Sequence, residues 1–204
     1  MTIHLYIFLA MQYLAMRTRD QAKYDSIIDA SIKLINELGF DVISISKIAK
    51  KAKVSPATIY IYFENKEDLF TKLYVDIRKK MSQGGLEGLE QDMTTEEEFK
   101  SIWSHFFTFS LKHPEYLAYR AQFEQTTMMK NIKAEDFELF QTIDRLLKRG
   151  IKERIIKDYP LPVLTSFAYM PIITLLNFHH AGIIEMDEDN IMQACEIAWN
   201  AIHS

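Results

Sequence analysis

Glycine, proline and cysteine are all scarce in this chain, with six, five and one among 204 residues. So few chain breakers, beside abundant Leu, Ile, Lys and Glu, argue against a turn-rich sheet and for helix. No run alternates with the period of a strand, and no repeat or low-complexity tract occurs. The expected class is all-α. A lone Cys195 excludes a disulfide framework and a cysteine metal site, and suits a reducing cytoplasm. Catalytic signatures are missing as well. His179 and His180 are adjacent, so on a helix they point about 100° apart and cannot share one metal. There is no Glu-x-x-His pair for a di-iron bundle, and no phosphate loop, dinucleotide fingerprint or nucleophile elbow. No enzyme activity, metal or cofactor is therefore expected.

The formal net charge of −4 conceals an asymmetry. Residues 17–80 hold 13 Lys and Arg against 9 Asp and Glu, a balance of +4. Residues 81–204 hold 11 against 19, a balance of −8. The first part can meet a polyanion that the second repels. Charge alone does not decide this, because lysines on a solvated helix face are ordinary surface residues.

The stretch from Ser44 to Leu69 is more specific. Ser44 is a candidate N-cap, and Ile45, Ile48 and Ala49 follow on one helical face. Lys47, Lys50, Lys51 and Lys53 lie around or just after that short helix. Val54 closes a turn. Ser55-Pro56 opens a second helix, with a hydroxyl at the cap and proline at the first helical position. Thr58, Ile59, Tyr60, Tyr62 and Phe63 follow, and Asn65 can cap the next helix with Glu67 and Asp68 in its first turn. Two short helices about a tight turn suit a helix-turn-helix. Small residues at the start of the second let the backbone approach a duplex. Hydroxyls and phenols can reach phosphates and base edges.

Ile48-Ala49, Ala52, Val54-Ser55, Thr58-Ile59-Tyr60, Tyr62-Phe63, Asn65-Lys66-Glu67 and Leu69 together resemble the N-terminal domain of the TetR family of bacterial transcriptional regulators. The resemblance covers residues 20–73. It implies a helix-turn-helix DNA-binding domain over 17–70, with its motif at 44–63. A helical regulatory and dimerisation domain is implied over 71–204. Carried to this chain, it places Ser44, Lys47, Ser55, Pro56, Ala57, Thr58, Tyr60, Tyr62 and Lys66 at an operator in double-stranded DNA. Two departures stand out: Lys53 and Ala57 occupy positions where glycine is usual. If Lys53 is left-handed it costs on the order of 1 kcal/mol.

Residues 1–16 form an apolar extension with no basic residue ahead of it. It is shorter than the roughly 20 residues a membrane span needs and lacks a signal-peptide cleavage pattern. Met16 is the expected start, because MRTRDQAKYDSIIDA resembles how family members begin. The alternatives are an extra helix packed on the DNA-binding part and a membrane anchor. The first long helix is expected over 20–38, with Ile27, Ser31, Leu34, Ile35 and Leu38 inward. A fourth over 65–83 should end at Gly84-Gly85, followed by a linker.

Further helices are expected over 95–112, 114–126, 134–156, 161–181 and 187–202. Thr95 and Glu98 should form a capping box in the first of these. Pro171 should kink or open its helix. Aromatics crowd this second part, and most of them suit a plain helical core. The resemblance implies that a subset lines a pocket for a small hydrophobic ligand: Trp103, Phe107, Tyr119, Phe123, Phe140, Tyr169, Met170 and Asn177. It further implies a cytoplasmic, nucleoid-associated repressor, dimeric through helices at 161–182 and 187–203. The alternative is a helical small-molecule- or protein-binding module whose head no longer reads DNA.

Overall fold

The computed structural model describes residues 2–132 and 137–204, with side chains from Asp20 onward apart from Asn131. The described residues form ten α-helices: α1 (Thr2–Leu38), α2 (Ile45–Ala52), α3 (Pro56–Tyr62), α4 (Lys66–Gly85), α5 (Thr95–Lys112), α6 (Pro114–Phe123), α7 (Glu138–Lys152), α8 (Leu161–Ala168), α9 (Met170–His180) and α10 (Glu188–Ile202). A 3₁₀ turn spans Thr127–Asn131. Among the described residues the only β pairing is an isolated bridge between Ile156 and His203. The expected all-α class is the observed one. Helix α1 is continuous, so the apolar extension and the expected first helix are one element. The expected start of α7, Ala134, lies outside the described residues.

The helices group into two compact units. One runs to Val75 and also takes Ala118–Met129; the other comprises Asp76–Leu117 and Lys130–Ser204. A sequence boundary near residue 70 could not show that a later segment returns to the first unit.

The first unit is built on Ile27, Ile35, Ile48, Ile59, Leu69 and Leu73, all buried. Leu38, expected inward, is 49% exposed, because the helix ends there and Gly39 turns the chain at φ 79°. Ser26 Oγ donates to the Ala52 carbonyl at 2.8 Å and ties α1 to the end of α2. The returning segment is held by rings. Phe40 meets Phe70, Tyr119 and Phe123 edge-on at 5.1, 5.4 and 5.8 Å. Tyr74 stacks on Phe123 at 4.3 Å. Such pairs contribute about 0.5–1.5 kcal/mol each beyond the area they bury. Tyr119 donates its hydroxyl to the Phe70 carbonyl at 2.9 Å, and burial pushes that phenol far above its ordinary pKa.

In the second unit α5 carries the core stripe of Phe99, Ile102, Trp103, Phe107 and Ser110. Its capping box is Thr94 with Glu97, one residue earlier than expected. Thr95 cannot serve as the cap because it is buried and donates its hydroxyl to Glu153 at 2.6 Å. The break near Pro171 occurs as expected and separates α8 from α9 at Tyr169. Proline has no N–H for a residue one turn back. The Ile172 N–H bonds Tyr169 instead, and Trp103 Nε1 takes the released Ala168 carbonyl at 2.9 Å. By length and composition Leu161–His180 could cross a membrane, yet here it is two helices with much apolar surface exposed.

Gly84 and Gly85 are the last two residues of α4, which ends there as expected. A Cβ on Gly84 would fall 2.2 Å from the Phe109 ring, and one on Gly85 3.2 Å from Phe106. Each helical glycine costs about 1 kcal/mol against alanine. Close packing of the Phe109 ring on the bare helix backbone explains Gly84.

The turn between α2 and α3 uses the unusual residue. Lys53 has φ 56° and ψ 39°, the left-handed region, and the following Val54 N–H reaches back to the Ala49 carbonyl at 3.0 Å. Replacing Lys53 with glycine relieves the Cβ penalty but gives the unfolded chain more freedom. We expect a net stabilisation of up to about 1 kcal/mol in urea unfolding; an unchanged or lowered midpoint would show that the lysine side chain contributes more than its backbone costs. Cys195 is buried on α10, and burial pushes its thiol up to about 11. Alkylation by iodoacetamide at pH 8 should be negligible in the folded protein and rapid in denaturant, with native-state labelling at the unfolded rate excluding this environment.

Candidate nucleic-acid interface

Local signals set the interface up. Ser44 caps α2 and accepts the Lys47 N–H at 3.3 Å. Ser55 caps α3, accepting the Thr58 N–H at 3.2 Å and sharing a 2.9 Å hydrogen bond with the Thr58 hydroxyl. Pro56 follows in the first turn. Within the seven-residue α3 only Ile59 is buried. Ser55, Pro56, Ala57 and Tyr60 are exposed, Thr58 half so. They form one outward face at the start of the helix. Ile61 joins them at 76% exposure. It was not among the expected contacts; its signal in the sequence is an apolar residue off the Ile59 stripe.

Tyr62 sits differently. Its hydroxyl donates to the Asp20 carbonyl of α1 at 3.2 Å, and its ring meets Tyr24 edge-on at 5.7 Å. Partial burial, then the Asp20 charge, raises the phenol pKa. Here Tyr62 is a strut from the end of α3 to α1. Lys47 and Lys66 are also engaged. Lys47 Nζ donates to Val42 O at 2.8 Å and Lys66 Nζ to Ile43 O at 3.4 Å, so both ammoniums lie against the loop between α1 and α2. Lys50, Lys51 and Lys53 are exposed beside the same turn.

A pin not foreseen from the sequence holds the far end of α3. Lys72 pairs with Asp68 at 2.8 Å, lies 5.6 Å from the Phe63 ring centre and reaches the Tyr62 carbonyl at 3.5 Å. Asp68 also accepts the Glu64 N–H at 2.9 Å, while its own N–H goes to the Asn65 cap at 2.8 Å. Burial pushes the Asp68 carboxyl up, but the Lys72 and Glu64 hydrogen bonds and the Lys72 charge outweigh it, leaving the pKa below its ordinary value. A lowered acid pKa means the pin is in place at neutral pH and is lost only as pH falls through that lowered value.

The eight expected ligand-pocket residues do not gather into one wall. Tyr119 and Phe123 belong to the first unit and close its ring cluster. Trp103 and Phe107 stack on each other at 5.3 Å inside the core of the second. Phe140 is half-buried with the Arg78 guanidinium 4.7 Å from its ring. Met170 and Asn177 are exposed, and Met170 lines an outward apolar cleft of about 600 Å³ with Phe167, Pro171 and Ile197. Tyr169 is buried against Phe99, and its hydroxyl has no hydrogen-bond partner among the described residues. Aromatics at helical spacing serve packing first, so residue type alone could not separate lining from core. Among the described residues no cluster of His, Cys, Asp and Glu could hold a metal ion.

Comparison with known proteins agrees with this architecture. An HTH-type transcriptional regulator of Haemophilus influenzae is 28% identical over 189 residues, 89% of this chain and 98% of that protein. A Bacillus subtilis protein named fatty acid metabolism regulator protein is 36% identical over 130 residues, and the match spans 62% of this chain and 61% of that relative. Among solved structures, a TetR family transcription regulator from Marinobacter aquaeolei superposes with a TM-score of 0.86 at 28% identity, covering 92% of this chain and 99% of the other. The fold is shared as well with FadR from Bacillus subtilis in complex with stearoyl-CoA, at a TM-score of 0.70 and 21% identity over 87% of this chain and 96% of that one. Residues 27–73 match the family described as bacterial regulatory proteins, tetR family, and residues 95–203 the tetracyclin repressor-like C-terminal domain. With a capped, outward-facing recognition helix at one end and that helical domain over half its length, the chain belongs to the TetR family of transcriptional regulators and is not an enzyme.

Proposed function

We propose that this chain is a one-component repressor, acting in the cytoplasm at the nucleoid, that binds a palindromic operator as a homodimer and is released by a fatty acyl thioester. The outward face of α3 carries this reading: six of its seven residues are left outside the core. A helix that buries one side chain contributes little to stability by itself, whereas its exposed, capped N-terminal turn fits a major groove. Ser55, Pro56, Ala57, Thr58 and Tyr60 would meet base edges and backbone, with Ile61 against a thymine methyl. Ser44 and Lys47 would meet phosphates. Lys66 would leave its long 3.4 Å contact with Ile43 for a phosphate, and Tyr62 would hold the helix angle.

Dimerisation has a surface to match. Phe167 and Ile197 are 63% and 71% exposed on α8 and α10, beside Met170 on α9. A monomer exposing such a patch invites a second copy, and two reading heads about 34 Å apart would span successive major grooves. The 36% identity with a fatty acid metabolism regulator supports an acyl ligand, as does a shared fold with a regulator bound to stearoyl-CoA. The unmet Tyr169 hydroxyl in the second unit supports a polar ligand group reaching that unit. Such a ligand releases DNA only by binding the released state more tightly than the bound one.

Operator DNA is first selected from a random pool with the full-length protein. Tyr60→Ala should then weaken binding about tenfold or more, the loss of one good base contact. Lys66→Ala should weaken it across all sequences and flatten the slope of log affinity against log salt by about one unit. Wild-type affinity in both variants, or no selectable DNA at all, would overturn the operator assignment in favour of a module with a retargeted head. Phe167→Glu should shift the protein to monomer in sedimentation and lose operator binding with it; a stable dimer in that variant would sink the pairing surface. Stearoyl-CoA should release the wild-type complex, and indifference to any acyl thioester would remove the acyl ligand.

A further inference from the structure

The second half of α4 presents one more organised surface, apart from the reading head and the pairing face. Lys80, Gln83 and Gly84 share one face of the helix, and Glu87 follows in the turn just past its end. They floor a cleft of about 380 Å³ whose wall is Phe109, His113 and Tyr116. The three rings form a compact cluster, with Phe109 and Tyr116 themselves 6.3 Å apart. Phe109 and His113 are 4.5 Å apart, and His113 and Tyr116 lie 4.9 Å apart and within 11° of parallel. All of these residues belong to the second unit.

The floor is polar. Lys80 is exposed and pairs with no carboxylate among the described residues. Its ammonium is 5.6 Å from the Tyr116 ring centre and 3.5 Å from the phenol oxygen. In the turn past the helix end, Glu87 offers acceptors only. Gln83 between them carries a donor and an acceptor side by side, the pattern that reads the amino edge of adenine. At the centre Gly84 leaves no side chain, and the Phe109 ring lies against the helix in its place. The other charged group at the ring cluster is Glu115, held 3.1 Å from His113 Nδ1.

From this arrangement we infer that the cleft binds a purine nucleotide bearing an amino group. The base packs on the open side of the ring cluster, its amino edge faces Gln83 and Glu87, and its phosphate meets Lys80. A cation at one end and a carboxylate at the other fix the direction in which the nucleotide lies. Stacking on aromatic faces tolerates any base; the carboxylate disfavours bases that present only acceptors there. Two sources carry this chemistry: a free adenine nucleotide, or the nucleotide end of an acyl-CoA. Only the second rests on the acyl reading above.

The test titrates the full-length protein calorimetrically with adenosine 3′,5′-bisphosphate, stearoyl-CoA and stearate, in wild type and in Tyr116→Ala, Lys80→Met and Glu87→Gln. The bisphosphate should bind wild type and weaken at least tenfold in Tyr116→Ala. Saturation transfer from the protein should reach the base protons. Lys80→Met should weaken the bisphosphate and leave unphosphorylated adenosine unaffected. Lys80 and Glu87 are exposed, so these variants keep the test valid if Tyr116→Ala fails to fold. If the bisphosphate binds while stearoyl-CoA releases no operator, the source is free nucleotide and the acyl reading fails alone. If stearoyl-CoA binds equally well to all three variants and the bisphosphate does not bind, the cleft assignment fails alone.

Discussion

The reading head depends on the burial of one side chain. Ile59 is the only residue of α3 inside the core, completely closed off among the isoleucines and leucines of the first unit. Fully burying such a chain stabilises by about 1.5–3 kcal/mol, too little to orient a free helix. Everything adjacent adds constraint where burial cannot. Ser55 fixes the first turn and Lys53 sets the angle of entry. Tyr62 braces the end against α1, and the Asp68–Lys72 pin closes the exit. The helix is thus held at its ends and by one point in its middle, which leaves its remaining face without a structural duty.

The same division runs through the chain. Polar groups near the turn are oriented by backbone carbonyls, so Lys47 and Lys66 are pre-placed rather than loose. In the second unit, rings do this work. Trp103 takes a carbonyl that Pro171 helped release, and Gly84 accepts the Phe109 ring where any Cβ would be excluded. Helix propensity is given up where close packing repays it.

How much of this could be read from the residues alone varies with the range of the signal. Caps are local, so Ser44, Ser55, Asn65 and the break near Pro171 were legible. The left-handed Lys53 followed from a turn that ordinarily takes glycine. Thr94 and Thr95 are neighbours with equivalent spacing to Glu97 and Glu98, and only the buried bond of Thr95 to Glu153 separates them. Gly84-Gly85 mark the end of α4 as read, but nothing near them shows that the Phe109 ring, more than twenty residues away, packs on the bare Gly84 backbone. Tyr119 and Phe123 look like pocket aromatics until the returning segment joins them to Phe40 and Phe70. Tertiary partners of that kind leave no local trace.

Helix α3 is only two turns long. A recognition element of that size offers roughly 3–4 side chains to base edges, so one copy can spell only a short word. A bacterial chromosome presents on the order of 10⁶ or more competing sites, among which such a word recurs many times by chance. The shortness of α3 therefore sets an information limit on a single chain. Under that limit the apolar face around Phe167 and Ile197 becomes part of the address: by doubling the word, it would decide how few places on the chromosome the protein can occupy.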